Sequence, residues 1–461
     1  MVEILGFEFP YADDKYHDPA YEFEVIGKRV PCYDGYDKVN GKAKYTGDVR
    51  LPNMLHAKIL RSTVAHANIK SIDTSKAEAL LGVKAVVTYK DRADQATMQG
   101  SYTDHFLVDK VRQWGDPIAA VAAETEEIAE DALGLIEVDY EELPVILEFE
   151  DAVKPGAPLI NEKLFPGNIA ATTTLEKGDI EQGFMEADTI IERDYTTAQT
   201  SILNPTLNCC VASYENGILT VWNRNQEIAG PAKQISPVVN VPLSNIRVIS
   251  PHGEGAYSSS VAIGWHSPVA ALLAVKTGRP VRLETEIENV TITGGRYPMQ
   301  LHLKVGVKED GTITALDAIG NFNAGAYGWI SSARGFSPGT TLNYYNVANG
   351  RYVLTGAATN RGGITQWRGY GAIMAWPMDA LMDEVAEIMG FDTLEFRKKN
   401  FVPQWDLVSS FGRWLPLTST GKAQIVDKLS QAIDWASKWS PPNAKTGAKR
   451  IGIGIGTGEK G

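Results

Sequence analysis

The run Ile118-Ala119-Ala120-Val121-Ala122 has no polar face. A strand of that composition must be covered on both sides, which places it inside a layered α/β structure rather than on a solvent-facing sheet. The residues after it fit such a layer. Thr125 predicts a helix N-cap, and Ile128, Ala129, Ala132 and Leu133 share one helical face. Ile136, Val138 and Tyr140 then alternate with Glu137, Asp139 and Glu141, the period-two pattern of a half-buried strand. Leu143-Pro144 closes the unit.

The same two periods recur along the chain. Strands are predicted over 55–60, 83–89, 189–196, 211–214, 219–223, 246–250, 281–284, 300–307 and 313–319. Asn216-Gly217 reads as a hairpin turn. A short helix is expected over 180–187, and Ser267-Pro268 reads as the N-cap and first residue of a helix running to about Lys276. Met378, Leu381, Met382, Val385 and Met389 mark an amphipathic helix that Gly390 ends, and Asp392-Thr393-Leu394-Glu395 reads as a capping box opening a short basic helix. Between the two α/β regions, 149–165 carries Pro155 and Pro158, with Pro166 just beyond, and reads as a linker laid over the surface. The fold class is therefore α/β with mixed α+β character.

A chain of 461 residues suggests two or three domains. Its net charge of −12 argues against a nucleic-acid surface, which needs a basic face to displace counterions. No apolar run reaches the length of a membrane span, and 1–10 lacks a signal-peptide core, so the expected compartment is cytoplasmic. The three cysteines, Cys32, Cys209 and Cys210, form no CxxC and cannot build a four-cysteine cluster; they read as small buried thiols.

Three small-residue loops can bring backbone N–H groups close to a ligand: 253–260, Gly362-Gly363 and 368–372. Arg368-Gly369-Tyr370-Gly371-Ala372 precedes the amphipathic helix, where a tight turn before a core helix accounts for the same residues. Gln226 stands at a strand end, either near a ligand or as a loop-capping amide. His252 and Glu254 form a possible acid/base pair without a third partner. The tail alternates glycine with Ile451, Ile453, Ile455 and Thr457, as a strand with one bare face. A dinucleotide loop would need a following helix; a strand whose partners lie on another polypeptide, or a chain cut short, fits the tail better.

Taken in order, these landmarks resemble the molybdenum-cofactor subunit of the xanthine dehydrogenase (molybdenum hydroxylase) family. The resemblance rests on Lys38-Val39-x-Gly41-x-Ala43-x-Tyr45-x-Gly47-Asp48, Arg61-Ser62 with His66-Ala67, Gly115-Asp116-Pro117-Ile118-Ala119 and Val138-Asp139-Tyr140-Glu141. Further along it rests on Thr277-Gly278-Arg279-Pro280-Val281, Gly325-Ala326-Tyr327, Arg368 to Ala372, Met382-Asp383-Glu384 and Arg397-x-x-Asn400. It implies an N-terminal extension (1–24), an α/β hammerhead-like domain (25–148), a linker (149–169), the first part of a molybdopterin-binding domain (170–403), and a C-terminal segment (404–461) completed by a partner chain. It also implies a molybdenum–molybdopterin cofactor, as the cytosine dinucleotide, with [2Fe–2S] clusters and FAD on partner subunits.

By position, the resemblance assigns cofactor binding to Gln226, Gly255, Ala256, Tyr257, Ser258, Arg368, Gly369, Tyr370 and Gly371, and substrate-pocket positions to Asn204, Ser259, Ser260 and Arg334. Several residues depart from the family pattern. The glycine-rich loop reads Glu254-Gly255-Ala256-Tyr257-Ser258-Ser259-Ser260 and lacks the family's lysine; Asn204-Pro205 replaces Glu-Pro; Ile373-Met374 replaces Pro-Gln; and Arg334 lies off the register of the family's substrate arginine. These changes imply an atypical pocket and disfavour purines. The family's general-base glutamate belongs to a C-terminal half that this sequence does not contain. The expectation is therefore a split molybdenum subunit, as in nicotinate dehydrogenase, with a second chain completing the site. Alternatives are a non-redox hydratase of the same family and a cofactor-free scaffold or assembly subunit.

Overall fold

The strand Pro117–Ala123 is buried at every residue in the computed structural model, which describes residues 2–4, 7–9, 22–93, 106–201, 207–224, 229–253, 266–286, 295–327, 341–362, 373–410, 413–442, 444 and 447–458. Ala119, Val121 and Ala123 share a core cluster with Ala129 and Ala132 of the helix Glu126–Leu133, while Ala120 and Ala122 share another with Val269 to Ala274 of the helix His266–Thr277. Small side chains let helices approach both faces of the strand. Thr125 caps the first helix as expected, its hydroxyl accepting from the Ile128 N–H at 3.3 Å. The second helix is described from His266, two residues before the predicted first helical residue, so Ser267 lies within the helix and is not its cap.

That strand belongs to a seven-stranded mixed sheet, in the order Ile246–Ile249, Ile218–Asn223, Cys209–Glu215, Val281–Glu284, Leu55–Arg61, Pro117–Ala123, Val83–Thr88. The sheet runs without a break from the first α/β region into the second, because Val281–Glu284 pairs in parallel with Leu55–Arg61. Asn216 (φ 52°) and Gly217 (φ 79°) make the hairpin turn, with both residues in the left-handed region that a type I′ turn requires.

A second sheet has five strands, in the order Thr189–Thr197, Met299–Val307, Ile313–Gly325, Asn349–Ala358, Ile169–Lys177. The middle pair, Ile313–Gly325 and Asn349–Ala358, is parallel. Leu301, Leu303, Val305 and Leu316 join Met378, Leu381, Met382 and Val385 of the helix Ala375–Met389 in the largest core cluster. Gly390 ends that helix with φ 77°, and Asp392 caps the next, Thr393–Lys399, by accepting from the Leu394 N–H at 2.7 Å. A three-stranded sheet of Lys110–Val111, Ala67–Asp73 and Glu137–Glu142 completes the hammerhead-like part. The architecture is the mixed α/β class expected.

The stretch 149–165 opens with a helical turn, Phe149–Ala152; most of its residues are exposed, while Ala152, Ile160, Asn161 and Phe165 are buried. Asn168 anchors it, accepting from the Ile160 N–H at 2.9 Å and donating to the carbonyls of Ala152 and Pro158. The glycine-alternating tail pairs with no strand among the described residues. Its Ile453 and Ile455 pack against a cluster of Leu394, Val426 and Trp435 in its own chain.

Candidate functional site

Strand directions bring one edge of the large sheet to one end of the smaller one. Ile218–Asn223 runs parallel to Ile246–Ile249, and Val281–Glu284 parallel to Leu55–Arg61, with Cys209–Glu215 antiparallel between the pairs. All four strands of these two pairs therefore finish at the same edge, where Pro117–Ala123 starts with Pro117 opposite Arg61. Ile313–Gly325 and Asn349–Ala358 also finish together, Gly325 opposite Ala358. In α/β proteins ligands bind outside such carboxyl ends.

Hydrogen bonds join the two edges. Tyr327, two residues past its strand, donates its hydroxyl to Asp116 Oδ2 at 2.6 Å. Asn360, two residues past the adjacent strand, accepts from the Ile146 N–H at 2.8 Å and donates to the Arg112 carbonyl at 2.8 Å. Asn323 donates to the Leu147 carbonyl at 2.6 Å, and Arg361 donates to the same carbonyl at 2.7 Å.

The junction carries buried charge. Asp116 is fully buried and also accepts from the Arg112 and Gln113 N–H groups at 2.8 and 3.2 Å; burial pushes its carboxyl up to about 6, against the Tyr327 hydrogen bond that holds it down. Burial draws the Arg61 guanidinium down to about 10, with Glu286 and Asp116 as its opposing charges, and it donates to the Gly115 carbonyl at 2.7 Å. Glu286 also pairs with Lys58 at 3.2 Å. At the start of the helix His266–Thr277, burial lowers the His266 imidazole to about 3, helped by Arg224 and Arg61, so it is neutral at physiological pH. Among the described residues, both amide atoms of Gln113 and of Asn223, the Thr285 hydroxyl and Asp116 Oδ1 are buried with no hydrogen-bond partner. A polar ligand supplies partners for such groups, which otherwise cost about 1–3 kcal/mol each.

The residues singled out from the sequence lie in stretches that adjoin described residues along the chain. Gln226 follows Arg224, and Gly255, Ala256, Tyr257, Ser258, Ser259 and Ser260 precede His266. Arg334 follows Tyr327, and Arg368, Gly369, Tyr370 and Gly371 follow Gly362; Asn204 lies between Ser201 and Leu207. All of them, with Glu254, fall outside the described residues. His252 is described: its Nδ1 bonds the Lys44 carbonyl at 2.8 Å and its ring lies against Tyr45. Cys209 and Cys210 are buried thiols as expected, and burial pushes the Cys210 thiol up. Cys32 is instead exposed, its thiol donating to Asp34 at 2.8 Å. Among the described residues no group of three or more His, Cys, Asp or Glu is placed to hold a metal ion.

Arg61, Asp116 and Tyr327 stand in the sequence as family landmarks, and nothing local marks them as parts of one site. A partial signal is present: Arg61 and Asp116 are charges at the ends of apolar strands, where a charge must be paired once the strands are buried.

Comparison with known proteins gives the chain its class. Residues 162–401 match the molybdopterin cofactor-binding domain, and residues 40–144 match the a/b hammerhead domain of aldehyde oxidase and xanthine dehydrogenase. The chain belongs to the xanthine dehydrogenase family of molybdopterin-binding large subunits. It is 35% identical over 405 residues to a probable xanthine dehydrogenase subunit of Bacillus subtilis, covering 87% of this chain and 54% of that one. It is 31% identical over 386 residues to the nicotinate dehydrogenase large molybdopterin subunit of Eubacterium barkeri, covering 82% and 90%. Its structure superposes on the aldehyde oxidoreductase of Desulfovibrio gigas with a TM-score of 0.79 at 26% identity, over 89% of this chain and 47% of that one. The chain thus spans about half the length of the first and third of these proteins. Among the described residues no helix is long and apolar enough to cross a membrane.

The junction fits a molybdopterin cofactor. Buried amides without partners stand beside buried guanidinium groups at the strand ends, a donor set suited to a polar, anionic ligand.

Proposed function

We propose that this chain is the molybdenum-cofactor-binding part of a multi-subunit hydroxylase or dehydrogenase that oxidises a small aromatic, heterocyclic or cyclic compound. The observation that carries the reading is the Tyr327–Asp116 bond, which closes the carboxyl ends of strands from both sheets into one junction. Gln226, 255–258 and 368–371 would hold the cofactor, and Asn204, Ser259, Ser260 and Arg334 would line the substrate pocket. When bound, the cofactor supplies two-electron oxidation with oxygen drawn from water. This chain's own part is to fix that group's position and to present the substrate. The neutral His266 imidazole and the paired Arg61 guanidinium set the charge around it.

The proposed cofactor form is the cytosine dinucleotide. The proposed partners are an iron–sulfur subunit, an FAD subunit and a second molybdenum-domain chain that carries the general-base glutamate, and the proposed compartment is the cytoplasm. Two relatives, one described as a xanthine dehydrogenase subunit and one as a large molybdopterin subunit, support a multi-subunit assembly. The boundaries proposed are an extension over 1–24, a hammerhead-like domain over 25–148, a connection over 149–169, the first molybdopterin-binding part over 170–403, and a segment over 404–461 completed by the partner.

The test is substrate-dependent reduction of an artificial electron acceptor by the complex purified through this chain, screened over nitrogen heterocycles and aromatic aldehydes. Turnover with ¹⁸O from labelled water in the product supports the reading. Water addition without acceptor reduction would instead make the protein a hydratase, a reading favoured by the serines at 258–260.

A further inference from the structure

On the large sheet, Cys210, Ala212, Leu219 and Val221 face the helix His266–Thr277. The alternate residues Ser213, Glu215, Ile218, Thr220 and Trp222 therefore point to the opposite face. Register sets them in rows: Trp222 beside Val211, Thr220 beside Ser213, and Ile218 beside Glu215 next to the hairpin turn. A cavity of about 750 Å³ opens over these rows. Its other wall is 51–53 and 278–280, which lead into Leu55–Arg61 and Val281–Glu284. It therefore lies where those two strands begin, at the far end from the cofactor junction. Its size is that of a pocket for a small organic ligand.

The lining is chemically mixed. Trp222 is half-buried and brings an indole, while the buried Ser213 donates its hydroxyl to the exposed Glu215 at 3.1 Å. Arg279 donates its Nε–H to the Asn53 carbonyl at 2.9 Å, which fixes the guanidinium at the wall and keeps its terminal amino groups for another acceptor. Among the described residues Glu215 and Arg279 stand on neighbouring strand ends with no ion pair between them. Arg247, exposed in the row of Thr220, adds positive charge. Each group has a natural complement in one ligand. A carboxylate accepts from sugar hydroxyls, a guanidinium donates two parallel bonds to a phosphate, and an indole stacks on any base. We propose that this cavity binds a free ribonucleoside monophosphate: the base on Trp222, the ribose hydroxyls donating to Glu215, and the phosphate accepting from Arg279. The site is separate from the cofactor junction and holds whichever reaction the complex performs.

The experiment is isothermal titration of the purified complex with AMP and with 2′-deoxy-AMP. Wild-type protein is expected to bind one AMP per copy of this chain, and 2′-deoxy-AMP roughly tenfold more weakly. Trp222→Ala and Arg279→Gln should each weaken AMP binding roughly tenfold. Trp222→Phe keeps a flat ring on the sheet face and should retain most of the affinity. Glu215→Ala should bind the two nucleotides alike, because the group that reads the ribose is gone. Absence of saturable binding at millimolar AMP would overturn the proposal. So would equal affinity of wild-type protein for the two nucleotides, or AMP binding that Arg279→Gln leaves unchanged.

Discussion

The carboxylate of Asp379 accepts two hydrogen bonds from Thr457, from its N–H at 2.7 Å and from its hydroxyl at 2.8 Å, while also pairing with the buried guanidinium of Arg397. One side chain in the helix Ala375–Met389 thus docks the tail and neutralises a charge in the core. Arg397 spreads its remaining donors over Asp383 at 2.8 Å, the Tyr345 hydroxyl at 2.9 Å and the Asp379 carbonyl at 2.9 Å, and these partners raise its already high pKa despite burial. Among the described residues the tail is therefore held by side chains, with no β-ladder.

Removing the two ends of this contact should have unequal effects. Asp379→Ala leaves a fully buried guanidinium short of one anion and should cost about 3 kcal/mol in chemical denaturation. Thr457→Val removes one hydroxyl bond at a half-buried position and should cost about 1 kcal/mol or less. Equal losses would show that Asp379 acts only through the tail.

The strand Pro117–Ala123 is covered on both faces by helices packed against alanine. Ala120→Leu adds volume where the helix His266–Thr277 leaves none, and should cost about 1–3 kcal/mol in thermal or chemical unfolding. Ala119→Leu should cost a similar amount against the helix Glu126–Leu133. An unchanged midpoint for either would contradict the two-sided packing.

Asn360 satisfies the Ile146 N–H and the Arg112 carbonyl with one buried amide. Asn360→Ala leaves both backbone groups without that partner, an expected loss of about 2–3 kcal/mol. Asn360→Asp keeps the acceptor and loses the donor, so it should recover the first contact only. Denaturant midpoints of the two variants, compared at pH 7, check the order.

His266 and Asp116 pull the pH dependence of stability in opposite directions. The folded value of His266, about 3, lies below its ordinary 6.5, so the unfolded chain takes up the proton first and stability falls as pH drops below about 6.5. Between pH 7 and pH 5 this contribution is about 2 kcal/mol. His266→Asn should therefore lose less stability than wild type over that interval, as measured by denaturation at the two pH values. A parallel loss in both proteins would mean that His266 is already protonated in the folded state.

What was legible in the sequence follows from how local its cause is. Ile118 to Ala122 could be read as a doubly covered strand because every residue is apolar, and Gly390 could be read as a helix end because its left-handed φ favours glycine. The strand Asn349–Ala358 was missed because Gly350, Arg351, Thr355 and Gly356 blur its alternation; Gly356 is needed there because the Phe322 ring fills the space of a side chain. The helix Ala229–Val239 was hidden by Gly230, Pro231 and Pro237. The prolines of 149–165 read as a surface linker; the few buried residues that pin it, such as Ile160, depend on a tertiary anchor, Asn168. The site residues carried by the family resemblance fall outside the described residues, whereas the junction is built from pairs such as Asp116 and Tyr327, whose meeting depends on the register of two sheets. No local pattern encodes that register.

The most direct test is molybdenum and pterin analysis of the complex purified through this chain under native conditions. The account predicts stoichiometric molybdenum with a pterin dinucleotide, together with iron and labile sulfide from copurifying subunits. A clean, folded complex containing neither molybdenum nor pterin would contradict it.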